Sequence, residues 1–378
     1  MSAPYSAQRW IVGRVVPVVL LVLLLVVPAS LVGVAGPLTG VRPQPPGPRP
    51  SVAVRVNTAP PAPFGATPSD PAAIISSVNR SVVDINSTLG LRNARAAGTG
   101  VVLTGTGLVL TNNHVVAGAT SITGRAVANG RTYHASVVGY DRSHDIAVIQ
   151  LANATGLPRL AVADSSSVTV GDSVVAVGNA GGAGGTPTAV TGSVTALDRS
   201  ITAQEPDGGV QQLTGLIQVA ADIRSGDSGG PLVDRSGRLV GINTAASIEE
   251  QGQATGGTGF AIPSNTAVGV AQQIMAGTAS PTIHIGPTAL LGVAAADAEG
   301  QVAGVMVTGV IFGSPAERAG VGAGDIIRSV DGRPVGSARE LTSVLDTHHP
   351  GDRVRITWTD QAGQAVAATV TLAVGPAG

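Results

Sequence analysis

The chain has 378 residues, more than one ordinary domain needs, so we expect two folded domains. A formal net charge of -1 without any block of like charges excludes the basic footprint of a nucleic-acid-binding protein, and the absence of cysteine excludes disulfides, thiolate metal sites, a cysteine nucleophile and a lipid-modified cysteine. Hydrophobic residues make up 43% of the chain but aromatic residues only 2%, which favours many short strands of small side chains over a helical bundle.

The N-terminal segment predicts a hydrophobic helix that targets the chain to a membrane. Residues 15–36 carry no charge and follow Arg9 and Arg14. Their length suits one bilayer crossing at about 20 residues, whereas residues 15–27 alone have the length of a signal-peptide core. Because Gly33–Ala35 is a poor cleavage site, we favour an anchor within residues 1–36 over a cleaved signal. Either segment would leave the rest of the chain outside the cytoplasm, single-pass at the cell membrane or secreted.

A proline-rich stretch and then a series of short strands follow. Prolines recur at short intervals over residues 37–71, which disfavours helix and predicts an extended linker. Residues 72–78 have a short helical pattern, and apolar runs separated by turn residues then have the spacing of a barrel or sandwich. These runs are Ser81–Ile85, Thr99–Leu103, Leu108–Thr111, Ala135–Val138, Ile146–Leu151, Ser173–Val177, Gly192–Leu197, Leu232–Val233 and Leu239–Ile242. We assign residues 72–275 to this mainly β domain.

A smaller α+β module is predicted at residues 283–374, after the break in the strand pattern at Gly277–Thr282. Its strand-like runs are Leu290–Val293, Gly304–Thr308 and Arg353–Trp358, and its helical patterns are Pro315–Ala319 and Ala338–Asp346.

The strongest functional signal is the run Gly226–Pro231, which reads Gly-Asp-Ser-Gly-Gly-Pro. A serine hydroxyl is a poor nucleophile, so it needs a base to take its proton and backbone N–H groups aimed at the developing oxyanion. Glycines around Ser228 allow a tight turn, so we expect the N–H groups of Gly226 and Ser228 to form an oxyanion hole.

The remaining two members of a catalytic triad are predicted upstream. His114 follows the apolar strand that ends at Thr111, where a positioned imidazole can act as general base. Asp145 enters an apolar strand, and a buried carboxylate there would need a partner such as the Nδ1–H of His114. Asp141 and His144 are rival candidates for these roles. The chain order His, Asp, Ser is that of chymotrypsin-like enzymes.

Residues from about 72 onwards resemble the HtrA/Deg family of trypsin-like serine proteases, which carry a C-terminal PDZ domain. The matching stretches are Gly98–Val102, Leu110–Val116, Asp145–Ile149, Val177–Asn179, Thr191–Val194, Gly226–Pro231 and Gly259–Pro263. The resemblance implies a chymotrypsin-like double β-barrel of two six-stranded barrels with the site in the cleft, and unfolded or misfolded envelope proteins as substrates.

The C-terminal module resembles a PDZ domain. Leu290–Val293 is similar to the loop that cradles a peptide C-terminus, so the resemblance implies carboxylate binding by Leu291, Gly292 and Val293. Gly313–Gly320 and Gly324–Gly332 resemble the helix-turn and the following strand of that module.

Two stretches depart from the family pattern. Where the family has Pro-Phe, this chain has the loop Ala180–Gly185, which is rich in glycine and has little to hold it in one conformation. Asp222 precedes Ser228 at the offset where trypsin-type enzymes carry the acid of the S1 pocket, so we hypothesise acceptance of Arg or Lys at P1. The alternative is a surface pair between Asp222 and Arg224.

Several alternatives stay open. A catalytically silent scaffold or chaperone that binds peptides through its PDZ domain is the main rival, and an enzyme that rests until a peptide binds that domain is another. His348 and His349 are adjacent and lack companion ligands, so we expect no metal site, and no cofactor is implied. Family members are commonly trimeric through N-terminal aromatic contacts, and only Phe64 lies in that region, so a homotrimer remains an open expectation.

Overall fold

The structure is a computed structural model that describes residues 71–204, 210–244, 257–298 and 303–378. The predicted hydrophobic helix within residues 1–36 lies outside these ranges, as does nearly all of the proline-rich linker. Among the described helices, none is long and apolar enough to cross a membrane. Helix α1 (Pro71–Asn79) opens the described chain, in agreement with the helical pattern at residues 72–78.

The first barrel has six strands: β1 (Val82–Leu89), β2 (Ala94–Val102), β3 (Leu108–Thr111), β4 (Ser121–Ala126), β5 (Thr132–Asp141) and β6 (Ile146–Leu151). They are ordered β5-β4-β1-β2-β3-β6, and pairing between β5 and β6 closes the ring. The one-turn helix α2 (Asn113–Val116) follows β3. Inward-facing side chains such as Ile85, Val109 and Ile149 are fully buried in the core of this barrel.

The second barrel is also closed and six-stranded. Its strands are β7 (Ser173–Gly178), β8 (Thr188–Gln204), β9 (Val210–Val219), β10 (Pro231–Val233), β11 (Leu239–Thr244) and β12 (Gly259–Pro263), ordered β10-β11-β12-β9-β8-β7. Helix α3 (Ser264–Met275) follows, and its Ile274 lies in a core cluster shared by both barrels, which also contains Leu110 and Ile242. This shared core fixes the barrels against each other, so the segments between them hold a defined geometry.

The C-terminal module is built from short strands and two helices. Strand β13 (Ile283–Ile285) precedes it, and its described elements are β14 (Ala289–Leu290), β15 (Val293–Asp297), β16 (Val305–Val310), α4 (Pro315–Ala319), β17 (Ile326–Val330), β18 (Arg333–Pro334), α5 (Ala338–Leu345), β19 (Arg353–Thr359), β20 (Ala365–Thr371) and β21 (Ala373–Val374). The main sheet is ordered β15-β16-β17-β19-β20, with β18 beside β17 and with β14 and β21 paired separately. Ser314 and Ser337 cap α4 and α5, since each side chain accepts a hydrogen bond from the N–H three residues later.

Two details differ from the sequence-based expectations. Strand β13, at the start of the predicted C-terminal module, pairs with β5 and so extends the first barrel. Leu290–Val293 is not one strand, because Gly292 adopts a φ of 90° and separates β14 from β15. A left-handed residue interrupts the extended pattern that the apolar side chains indicate.

Candidate active site

His114 and Asp145 form a hydrogen-bonded pair in the first barrel. The Nδ1 atom of His114 lies 2.8 Å from Oδ2 of Asp145, and the backbone N–H of His114 donates to Oδ1 at 3.0 Å. The side chain of Asp145 is 6% exposed and that of His114 is 31% exposed. The carboxylate is therefore enclosed while the imidazole reaches solvent, with Nδ1 as the donor because the carboxylate can only accept.

The backbone around Asp145 is held by several neighbours. Asp145 has a φ of 52° in the turn between β5 and β6, an uncommon conformation that Asp tolerates. Its carbonyl accepts from the side-chain amide of Asn112 at 2.9 Å and from the N–H of Asn113 at 3.2 Å. Thr244 donates its hydroxyl to Oδ2 at 3.4 Å from the second barrel. These contacts orient the carboxylate towards His114.

The rival pair Asp141 and His144 forms a separate interaction. Nδ1 of His144 lies 2.8 Å from Oδ2 of Asp141, and Ser143 donates to Oδ1 of Asp141 at 2.6 Å. Burial alone would raise the pKa of Asp141, but the hydrogen bonds from His144 and Ser143 together lower it. The same hydrogen bond to Asp141 raises the pKa of His144. Because Asp141 is bound to His144, Asp145 is the carboxylate that orients His114.

Ser228 lies in a tight turn packed against the segment that carries His114. The Ser228 carbonyl accepts from the N–H of Thr99 at 2.8 Å, and the Gly226 carbonyl accepts from the Thr99 hydroxyl at 2.7 Å. Gly229 is close enough that a Cβ there would lie 3.2 Å from the backbone nitrogen of Asn112. Thr99 on β2 thus joins the serine turn to the first barrel.

Two carbonyls of this turn accept hydrogen bonds from other backbone groups. The Ser225 carbonyl accepts from the N–H of Gly181 at 2.7 Å, and the Asp227 carbonyl accepts from the N–H of Gly230 at 3.0 Å. In a trans peptide the next residue's N–H points opposite to the carbonyl. Because no described peptide bond is cis, the N–H groups of Gly226 and Ser228 point away from Gly181 and Gly230, the donors to those carbonyls.

Asp227 and Asp222 have different surroundings. Asp227 is buried, and its Oδ2 accepts from the backbone N–H of Arg224 at 2.9 Å while its Oδ1 has no hydrogen-bond partner among the described residues. Burial raises the pKa of Asp227. Asp222 is exposed and accepts from Nε of Arg224 at 2.8 Å. This contact is the surface pair weighed as the alternative to an S1 acid, and the P1 preference stays a prediction.

The predicted carboxylate loop of the C-terminal module has a similar peptide orientation. The Leu291 carbonyl accepts from the N–H of Ala316 at 2.9 Å, and the Gly292 carbonyl accepts from the N–H of Ile311 at 2.9 Å. The N–H groups of Gly292 and Val293 therefore point away from those partners. A Cβ at Gly292 would overlap the Ser314 side chain, so only glycine fits there.

Sequence reasoning missed the roles of Thr99, Asn112 and Thr244. Thr99 and Asn112 lie in stretches that were recognised as motifs, but their partners are distant in sequence. Thr99 binds residue 226 and Asn112 binds residue 145. The only signal in the sequence was a polar residue within or next to a candidate catalytic motif, in a run of apolar residues.

Comparisons with known proteins found a matching family for each of the two modules. Residues 98–242 match the family model of the trypsin-like peptidase domain, and residues 289–369 match that of the PDZ domain. Serine protease PepD of Mycobacterium tuberculosis is 33% identical over 373 residues, which is 92% of this chain and 75% of PepD. Periplasmic pH-dependent serine endoprotease DegQ of Escherichia coli is 40% identical over 271 residues, 69% of this chain.

The chain spans 54% of the length of DegQ and 56% of that of a do/HhoA-like protease of Haemophilus influenzae. Among solved structures, the HtrA-type protease AlgW with a tripeptide is 30% identical, with a TM-score of 0.48 and coverage of 81% of this chain and 97% of AlgW.

Proposed function

This chain belongs to the HtrA/Deg family of trypsin-like serine proteases with a PDZ domain, and we propose that it is a serine endopeptidase with His114, Asp145 and Ser228 as its triad. The observation that carries this proposal is the His114–Asp145 pair, with Nδ1 and Oδ2 2.8 Å apart, beside a serine turn whose carbonyls are fixed by other backbone groups.

The proposed reaction is acyl transfer in two steps. The Oγ atom of Ser228 attacks the scissile carbonyl, and its proton passes to Nε2 of His114. The negative oxygen of the tetrahedral intermediate accepts from the N–H groups of Gly226 and Ser228. His114 returns the proton to the leaving amine as the C–N bond breaks, and water then hydrolyses the acyl-enzyme by the same proton path. Asp145 keeps the imidazole in the required tautomer and stabilises the imidazolium.

The PDZ domain is proposed to bind peptide C-termini. The N–H groups of Gly292 and Val293 face away from their neighbours, which suits two hydrogen bonds to a terminal carboxylate. The proposed substrates are unfolded or misfolded proteins outside the cytoplasm, as the family resemblance implies. The curated relatives DegQ and DegP are described as periplasmic, which supports an exported location. Membrane attachment through residues 15–36 and a homotrimer remain predictions.

The test is cleavage of unfolded β-casein by the full chain and by Ser228→Ala, with fluorophosphonate labelling of the protein as a second readout. Cleavage and labelling that both disappear in the variant would support the proposal and the choice of Ser228. If the wild type neither cleaves nor takes up the label, even with a hydrophobic C-terminal peptide added, the scaffold or chaperone alternative is favoured.

P1 preference can be tested separately with peptides that differ only at P1. If Asp222 lies in an S1 pocket, Arg224 competes with a basic P1 side chain for its carboxylate. Arg224→Ala will then raise cleavage after Arg relative to cleavage after Val. Equal rates for Arg and Val, in both the wild type and the variant, would reject the basic-pocket hypothesis.

A further inference from the structure

The glycine-rich loop, residues 180–185, lies directly behind the serine turn. The N–H of Gly181 donates to the Ser225 carbonyl at 2.7 Å. A Cβ at Gly226 would overlap the Asn179 carbonyl oxygen and lie 2.9 Å from the amide nitrogens of Gly181 and Gly182. The Ser225 carbonyl and the Gly226 N–H belong to one peptide plane, so the loop determines where that N–H points.

This loop has little conformational preference of its own. Gly181, Gly182, Gly184 and Gly185 all have positive φ, between 67° and 100°. Glycine reaches these angles easily but also reaches many others, and it loses more entropy on ordering than any other residue. Contacts from outside the loop are therefore needed to keep it against Ser225.

The start of the loop is anchored to β2. The N–H of Asn179 donates to the Thr99 hydroxyl at 2.9 Å, and the Asn179 side-chain oxygen accepts from the N–H of Gly184 at 2.8 Å.

The end of the loop is anchored by an ion pair of the first barrel in which only the carboxylate is fully buried. Nη1 of Arg125 on β4 donates to the Gly185 carbonyl at 3.3 Å and to Oδ2 of Asp84 on β1 at 3.4 Å. Asp84 also lies beside the loop, since its Oδ2 atom is 4.0 Å from the Cβ position at Gly184. Its side chain is 1% exposed, whereas that of Arg125 is 38% exposed. Burial raises the pKa of Asp84, and the Arg125 guanidinium opposes that shift.

We propose that Arg125 and Asp84 are positioning residues for the oxyanion hole: Asp84 pairs with Arg125, Arg125 holds the Gly185 carbonyl, and through the loop they fix the peptide plane of Ser225 and Gly226. The inference rests on the proposed protease function. In this proposal the Arg125–Asp84 pair stabilises one conformation of the loop, because the glycine-rich loop has little preference for that conformation by itself. Loss of Arg125 should therefore affect both the orientation of the N–H donor and the stability of the fold, because it also leaves the buried Asp84 carboxylate without its counterion.

The test compares Arg125→Gln with the wild type on a peptide substrate and with a peptide boronate. Removal of a whole oxyanion donor costs about 10²–10³-fold in kcat, so partial disorder of one donor should cost about tenfold. We expect KM to change by less than about twofold and boronate affinity to fall in parallel with kcat, because both depend on the oxyanion contact. Arg131→Gln removes the same charge from the β4–β5 hairpin without touching the loop and should match the wild type. Arg125→Lys should recover part of the lost kcat.

The double variant Asp84→Asn/Arg125→Gln separates positioning from simple destabilisation. If Arg125 mattered only as the counterion of a buried carboxylate, neutralising Asp84 would restore kcat. If Arg125 positions the loop, kcat stays low in the double variant while thermal stability recovers. Restored kcat, or a wild-type kcat in Arg125→Gln, would overturn the inference and leave the protease assignment intact.

Failure of the proposed function is recognised independently. A wild type that neither cleaves nor takes up fluorophosphonate would reject protease activity. Amide hydrogen exchange of residues 180–186 then tests the contact itself. Faster exchange in Arg125→Gln than in Arg131→Gln would support the loop-holding role, and equal exchange would reject it.

Discussion

Gly226→Ala is the sharpest test of the serine turn, because the structure allows its cost to be divided into two parts. Gly226 has a φ of 97°, which is strained for alanine by about 1–3 kcal/mol. The new methyl group would also overlap the Asn179 carbonyl oxygen and displace the backbone hydrogen bonds of Gly181 and Gly182, at about 1 kcal/mol each. The total is about 3–5 kcal/mol.

Gly171→Ala is the matched control for this prediction. Gly171 also has a φ of 97°, but nothing lies within 4 Å of its Cβ position, so only the backbone strain of about 1–3 kcal/mol applies. The difference of about 2 kcal/mol corresponds to a melting temperature about 4–8 °C lower for Gly226→Ala, by the scaling for domains of 150–250 residues.

Activity provides the second readout. Movement of the Gly226 N–H should lower kcat on a peptide substrate by about 10²–10³-fold, whereas Gly171→Ala should retain wild-type kcat. The measurement is steady-state kinetics at a temperature where both variants are folded by circular dichroism. If Gly226→Ala melts with Gly171→Ala and keeps its kcat, then the turn does not hold the oxyanion donor and the proposed geometry is wrong.

Three further predictions follow from the contacts of the first barrel. Asp145→Asn should lower kcat about 10⁴-fold with little change in KM, because the wrong imidazole tautomer is favoured; steady-state kinetics would refute this if the loss is below about tenfold. His144→Gln should lower the melting temperature most between about pH 4 and 6.5. The raised pKa of His144 gives stability that is lost as pH rises through it, and the lowered pKa of Asp141 gives stability that is lost as pH falls through it. A pH-independent difference in melts from pH 3 to 9 would contradict that assignment. Asp346→Asn weakens the 2.8 Å pair with Arg142 and should cost about 1–2 kcal/mol in urea unfolding, while an unchanged midpoint would mean that the contact contributes nothing.

The candidate site could be selected from local parts of the sequence. Each member of the proposed triad lies in a short motif with its own strand or turn signal, and the chain order supplies the rest. The His114–Asp145 contact could be expected because a carboxylate at the start of an apolar strand needs a partner. The helices at Pro315–Ala319 and at Ala338–Leu345 also agree with prediction, since capping serines and turn residues are local signals.

Contacts between distant segments were not predictable in this way. Tyr140 and Arg142 lie near Asp145 in the chain and donate hydrogen bonds to Asp346 of the PDZ domain, at 2.7 Å from the Tyr140 hydroxyl and 2.8 Å from Nε of Arg142. Burial and the Asp346 carboxylate raise the pKa of Tyr140, so its hydroxyl remains a donor at ordinary pH. No pattern in the sequence connects residues 140 and 346, because side-chain periodicity reports which face is buried and not what covers it.

The serine turn and the predicted carboxylate loop of the PDZ domain share one arrangement of backbone hydrogen bonds. Glycine is required in both for the same reason. In each, backbone carbonyls accept hydrogen bonds from protein N–H groups, so the following N–H groups point away from those donors, as the proposed binding of an anion requires. Gly226 and Gly292 have φ near 90° and are in such close contact with a neighbour that a methyl group has no room. The sequence shows a glycine at both positions, but it does not show the neighbour. At Gly226 that neighbour is a loop of mostly glycine, so the orientation of the oxyanion donor depends on whatever holds the loop. Arg125 binds the Gly185 carbonyl of that loop and is itself paired with Asp84. The kinetics of variants at these two residues therefore test whether contacts on the first barrel control the oxyanion donor.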